Sequence, residues 1–176
     1  MLELKYFKLY DDVKEPIFST QNSACFDVHA YFGHSKGCLV EYYDKDNIKQ
    51  NGIAMKDTHL DEVKSFKLKP GERALIPTGI IFDIPEGYSV RCHSRSGLAL
   101  KEGLVLANGE GVIDSDYVNE SFIIMVNNSS RILTIQHNQK VAQLELVKVE
   151  CYNVVQTDVK PVQKTDRVGG FGSTGR

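Results

Sequence analysis

The residues of this 176-residue sequence that could do chemistry fall in four short stretches. Residues 108–117 read NGEGVIDSDY and set two carboxylates, Asp114 and Asp116, just ahead of Tyr117. A carboxylate within hydrogen-bond reach of a water can orient and deprotonate it, and a tyrosine ring offers a flat apolar face to a sugar. Asp is also an ordinary turn former, so this stretch alone decides nothing. A second stretch, Ser94-Arg95-Ser96-Gly97-Leu98-Ala99, joins a planar guanidinium suited to phosphate oxygens to a hydroxyl and the N–H groups of a helix start. Its glycine lets a ligand approach the backbone, although on its own the stretch reads more simply as a plain helix cap with a solvated arginine. The third is the Gly-rich stretch 167–176, where Phe171 stands between Gly170 and Gly172, flanked by Arg167 and by Ser173 and Thr174. It lacks the G-K-[ST] of a P-loop and fits a lid that orders over a ligand, Phe171 stacking on a base while Arg167 meets phosphate. In the fourth, residues 138–144, Gln143 is a polar residue in an apolar run and Lys140 a candidate phosphate contact; both also read as solvent-facing strand residues.

The elements that must position these groups are mostly strands. Residues 73–84 are rich in Ile and broken by Pro77 and Gly79, which predicts two short strands or one bent strand. Residues 88–93 alternate apolar with polar, and residues 121–126, 132–136 and 141–149 are further β-branched runs. Turn chemistry in residues 127–130 separates two of them. Two β-prone runs flank Asp114-Ser115-Asp116, so that segment is expected to be a hairpin with carboxylates at its tip. One short helix is expected from about Ser96 through Lys101. Many short strands with Gly, Pro and Asn punctuation point to an all-β barrel or sandwich rather than a βαβ fold. Residues 33–64 are polar and charged and read as an insertion or long excursion between core strands. A β domain over residues 1–166 carrying this insertion, followed by a lid over 167–176, is the expected organisation.

Composition narrows the function. With 41% apolar and 25% charged residues the chain can bury a core. A formal charge of −2 argues against a nucleic-acid binder. No apolar run approaches the roughly 20 residues needed to span a bilayer, and the first residues lack signal-peptide features, so a cytoplasmic location is expected. The four cysteines are scattered without a C-x-x-C pair and are expected to be small buried hydrophobes. The five histidines form no zinc signature, which removes the zinc-dependent nucleotide deaminases.

Taken in order, these segments closely resemble the five motifs of the trimeric dUTP pyrophosphatases (dUTPases). Residues 24–30, with Asp27, are similar to the first motif, and Arg95 to Ala99 to the second. Asn108 with residues 111–117 resembles the third, residues 141–144 the core of the fourth, and Arg167 with residues 170–175 the fifth. Residues 69–79 resemble the framework between the first two motifs, while residues 33–64 lie outside the likeness. The resemblance implies a distorted antiparallel β-barrel, or jelly roll, with one short helix, assembled as a homotrimer with three shared sites. It implies that Asp114 activates the water that attacks the α-phosphorus of dUTP and that Tyr117 packs against the deoxyribose. Asn108, Gly111, Val112 and Ile113 then read uracil, and Arg95, Ser96, Gly97 and Gln143 hold the phosphates. Phe171, Gly172, Arg167, Ser173 and Thr174 close over the nucleotide. A triphosphate carries about four negative charges, so Mg²⁺ bridging its oxygens is expected, with Asp27 able to touch it through a metal-bound water. The products, dUMP and pyrophosphate, would limit uracil incorporation into DNA and feed thymidylate synthesis.

Three positions depart from the family pattern. Ser94 stands where a Pro commonly precedes Arg-Ser-Gly, Gln139-Lys140 replaces Asp-Arg, and Asn119 replaces a Gly after Tyr117. The lost acid–base pair bears on a supporting interaction rather than on the base. Two rivals are a dCTP deaminase of related fold, which would release ammonia, and a catalytically silent regulator whose 33–64 segment, a surface decoration or arm, binds an unknown partner. Retention of Asp114, Tyr117, Arg95 and Phe171 argues against the silent form.

Overall fold

In the computed structural model the chain is described over residues 2–33, 38–56, 64–166 and 169. Among the described residues fourteen strands and one helix form a nearly closed antiparallel barrel, as the many short β-prone runs predict. A seven-stranded sheet runs β10 (Leu104–Leu106), β12 (Phe122–Asn127), β7 (Arg73–Pro77), β4 (Cys38–Tyr43), β5 (Lys49–Lys56), β6 (Lys64–Leu68), β13 (Leu133–Gln136). A five-stranded sheet runs β11 (Gly111–Ile113), β9 (Tyr88–Ser94), β14 (Lys140–Lys148), β3 (Phe26–His29), β2 (Ile17–Phe18). The remaining pair is β1 (Lys5–Lys8) with β8 (Ile80–Asp83).

Alternation decides which side chains fill the barrel. Val90 and Cys92 of β9, Ala142 and Leu144 of β14 and Phe26 and Val28 of β3 are buried, while Arg91, His93, Gln143 and Glu145 point to the opposite face. Ile76, Ile123, Met125 and Ile135 close the core from the seven-stranded sheet, each such buried side chain stabilising the fold by roughly 1.5–3 kcal/mol. Pro77 and Gly79 do break residues 73–84 into two strands: Gly79 has φ +70°, and a Cβ there would stand 2.6 Å from Val13.

Helix α1 (Ser96–Glu102) links the two sheets. It ends where Gly103 takes the left-handed conformation (φ 74°) and caps the carbonyls of Leu98 and Ala99. Residues 114–121 also cross between sheets, which corrects the expected hairpin. The strand before them, β11, pairs with β9, whereas the strand after them, β12, pairs with β10 and β7. The crossing is tied to the β7–β8 turn: Thr78 Oγ1 donates to the Ser121 carbonyl at 2.6 Å and the Gly79 N–H donates to Glu120 at 2.8 Å.

Over its described part the polar 33–64 segment is not a surface decoration. Strands β4 and β5 form a hairpin inside the seven-stranded sheet, paired to β7 through Tyr42 and Tyr43 and to β6 through Met55 and Lys56. Its inward residues Val40 and Ala54 are wholly buried. Its alternation is masked in the sequence because its outward positions mix Glu41, Asn51 and Lys49 with Ile53 and Met55. Among the described residues no helix is long and apolar enough to cross a membrane.

Candidate active site

The outward face of the five-stranded sheet carries the first cluster. Asp27, Gln143 and His93 lie in one row across β3, β14 and β9. Asp27 is 6% exposed and its carboxylate is held by three donors: Lys140 Nζ at 2.7 Å, Ser19 Oγ at 2.7 Å and Arg95 Nε at 3.1 Å. Burial pushes this carboxyl up, but the bonds from Lys140 and Ser19 and the charge of Arg95 outweigh it, so its pKa lies below the usual carboxylate value. A bulge between Lys140 and Ala142 sets two residues of β14 against one of β3 and turns Lys140 toward this acid. Lys140 therefore forms an ion pair with Asp27 at the edge of the row instead of standing free for phosphate. A divalent cation next to Asp27 would face two positive charges, so these contacts fit an anchor for Arg95 and Lys140 rather than a metal-water contact.

Arg95 is the N-cap residue of α1, extended at φ −76° and ψ 123°, with no side-chain cap bond. Its side chain is committed elsewhere: Nε to Asp27 and Nη1 to the Lys140 carbonyl at 3.3 Å. One edge of the guanidinium is thereby fixed and the other remains available to an anion. Ser96 and Gly97 follow directly, and a Cβ on Gly97 would meet nothing within 4 Å. Ser94, at the position where the family pattern commonly has a proline, accepts the Leu106 N–H on its hydroxyl at 2.9 Å and so ties β9 to β10. Gln143 is half-buried in the row between Asp27 and His93.

The second cluster surrounds the β10–β11 turn. Asn108, Gly111, Val112 and Ile113 line a cleft of about 140 Å³ with Cys92 and Phe122. Gly111 packs so closely on Cys92 that a Cβ would stand 3.0 Å from the Cys92 Cβ. Asp114 follows β11 and is exposed, with its carbonyl accepting the Tyr117 N–H at 3.1 Å. The Tyr117 hydroxyl donates to the Glu120 carbonyl at 2.9 Å, while the residue stays 40% exposed. Burial pushes the Glu120 carboxyl up, against the bonds from Gly79 and Thr78.

In one chain the Glu110 carboxylate of the β10–β11 turn reaches His93 of the first cluster at 3.9 Å, but Asp114 and Arg95 are held apart. Ile113 pairs with Val90, whereas Arg95 follows Ser94. Four residues of β9 separate those levels, about 13 Å at strand rise, and Asp114 lies further out. The expected lid residues Arg167, Phe171, Gly172, Ser173 and Thr174 lie outside the described residues.

A family profile described as dUTPase matches residues 58–175, which take in Arg95, Gln143 and the β10–β11 turn but not Asp27 or Ser19. The chain belongs to the dUTPase family. A deoxyuridine 5'-triphosphate nucleotidohydrolase of Nautilia profundicola is 31% identical over 176 residues, covering 99% of this chain and 100% of the relative. One from Rhizobium leguminosarum is 39% identical over 116 residues, covering 66% of this chain and 74% of its own. Among solved structures, a Staphylococcus bacteriophage 80alpha dUTPase mutant with dUpNHpp superposes with a TM-score of 0.72 at 20% identity, covering 100% of both chains. That likeness carries the barrel fold. The family profile begins after the β4–β5 hairpin.

Sequence reasoning missed two features of this dUTPase-family site. One is Ser19 as the third donor to Asp27. The other is a charged cluster in which Arg91, His93, Glu110 and Glu145 meet, with Arg91 Nη1 3.1 Å from Glu110 and His93 Nε2 3.0 Å from Glu145. The period-two placement of Arg91, His93 and Arg95 was the available signal. The expected burial of the cysteines holds for Cys92, whose thiol burial and then Glu110 push up to about 12. It fails for Cys151, which is exposed in the irregular stretch after β14.

Proposed function

We propose that the chain hydrolyses dUTP to dUMP and pyrophosphate, with Asp114 as the general base for water attack on the α-phosphorus. The family match across residues 58–175 carries this reading. The contrast between the aspartates supports the assignment: Asp27 is saturated by donors, and Asp114 is exposed beside a base-sized cleft. Asp114 takes the water proton as the oxygen attacks phosphorus, and pyrophosphate departs. Asn108 and the backbone of Gly111, Val112 and Ile113 hold uracil in the cleft, with Tyr117 against the deoxyribose. Arg95, Ser96, Gly97 and Gln143 hold the phosphates. Arg167, Phe171, Gly172, Ser173 and Thr174 complete the enclosure. The reaction removes a source of uracil in DNA and yields dUMP for thymidylate synthesis.

The distance between Asp114 and Arg95 along β9 supports a homotrimer whose sites draw on more than one subunit. So does the apolar surface left open on a single chain, including Val112, Val118, Tyr152 and Val154. Among the described residues no group of three or more His, Cys, Asp or Glu could hold a metal. Mg²⁺ would enter with the triphosphate and would neutralise charge on the phosphates that Arg95, Ser96, Gly97 and Gln143 hold.

The deciding assay incubates the protein with Mg²⁺ and dUTP, dCTP, dTTP or UTP, measuring pyrophosphate and ammonia separately. Pyrophosphate from dUTP alone is expected, and ammonia from dCTP would overturn the reading. Deleting residues 168–176 should leave the assembly intact and lower turnover; undiminished turnover would remove the lid.

A further inference from the structure

The turn assigned to the base is made of pliant residues. Asn108-Gly109-Glu110-Gly111 contains a glycine at φ +71° whose surroundings are open, a Cβ on Gly109 meeting nothing within 4 Å. Its backbone bonds are local: Glu110 N–H to the Asn108 carbonyl at 2.8 Å and Gly109 N–H to the Leu106 carbonyl at a long 3.4 Å. A turn so rich in glycine loses much freedom when a ligand orders it, and that cost weakens binding unless something fixes it beforehand.

Among the described residues, Glu110 supplies the turn's side-chain tether. One carboxylate oxygen is 3.1 Å from Arg91 Nη1 and the other 3.9 Å from His93 Nδ1. His93 is bound in turn to Glu145 at 3.0 Å, and Glu145 lies opposite Arg91 in the β14–β9 register. Two cationic-capable side chains of β9 and two carboxylates from flanking segments thus form a chain of contacts, Arg91 to Glu110 to His93 to Glu145. It links the base turn to the strand that carries Gln143.

We propose that Glu110 and Arg91 are positioning residues that set base selectivity by holding the Asn108–Gly111 turn against β9. The inference rests on the assignment of dUTP as substrate. Neither side chain needs to touch the nucleotide: the pair restricts the turn before binding, so its loss appears in KM and in discrimination between bases, not in the chemical step. Arg91 and Glu110 are 32% and 50% exposed. Solvent screening limits the effect to about three- to fivefold.

The test measures kcat and KM for dUTP, and kcat/KM for dCTP and dTTP, on the parent enzyme and on Glu110→Gln, Arg91→Met, the double variant and Arg91→Lys. Each of the first two should raise the KM for dUTP about three- to fivefold with kcat within about twofold, and lower selectivity for dUTP by the same factor. The double variant should be no worse than either single one, and Arg91→Lys should keep most of the parent KM. Unchanged KM and selectivity, strictly additive losses, or a fall in kcat that tracks a lowered melting temperature would each overturn the inference. An active parent enzyme with unaltered variants overturns this pair alone. A parent enzyme that does not split dUTP overturns the functional reading and takes the pair with it.

Discussion

The barrel treats two of its aspartates, Asp27 and Asp114, in opposite ways. Asp27 sits on β3 inside the five-stranded sheet, buried and gripped by Lys140, Ser19 and Arg95. Asp114 stands on the crossing between sheets, exposed, and its main chain makes the local turn bond. The difference separates two kinds of work. A carboxylate that anchors cations must be saturated before substrate arrives, whereas one that takes a proton from water must keep an oxygen open. Burial and partners, not residue type, support the roles proposed for the two.

The strongest way to break the comparison is Asp114→Asn. It should lower kcat for dUTP by about 10²–10⁴ while a non-hydrolysable dUTP analogue still binds; near-normal turnover would remove Asp114 as the base. Asp27→Asn should act on stability first, costing about 2–3 kcal/mol in chemical denaturation because it strands the charges of Arg95 and Lys140. It should also raise the KM for dUTP as Arg95 loses its fixed edge. A variant as stable as the parent would show that the cluster is no anchor.

The pH dependence of that difference is a finer probe. The folded pKa of Asp27 is depressed, so its contribution is fully present above the ordinary carboxylate value and is lost as pH falls through the folded one. The stability gap between parent and Asp27→Asn should therefore stay constant near neutrality and shrink below about pH 4. A gap that persists in acid contradicts the ion-pair origin. The smallest effect belongs to Asp116, which lies two residues from Asp114 and is also exposed. Asp116→Asn should change kcat/KM by less than about twofold, and a large loss would mean the base has been misassigned within the segment.

How much of this was legible in the sequence differs from element to element. The helix at Ser96, the break at Pro77 and Gly79 and the strands 88–94 and 140–148 follow from local chemistry, because turn residues and alternation act over a few positions. The β4–β5 hairpin was obscured because its outward face carries Ile53 and Met55 among charges, so period two reads as noise. The sheet crossing after Asp114 could not be read either, since partner choice depends on strands far away in sequence. The site divides in the same way. Arg95 and Asp114 stand out by type and neighbours, but the clasp of Asp27 by Lys140 and Ser19 depends on a bulge and a register that no spacing rule encodes.

The register of β11 on β9 reaches beyond geometry into the bookkeeping of mixed assemblies. Asp114, just past β11, and Arg95, just past β9, lie at different levels of the sheet, so a site completed across subunits, as proposed, would need one intact residue from each contributor. Two inactive proteins, Asp114→Asn and Arg95→Ala, should thus regain activity when dissociated together and reassembled. In an equal mixture that assorts at random, about a quarter of the sites would join an intact Arg95 to an intact Asp114. Damage to one chain can in this way be masked by a neighbour damaged elsewhere.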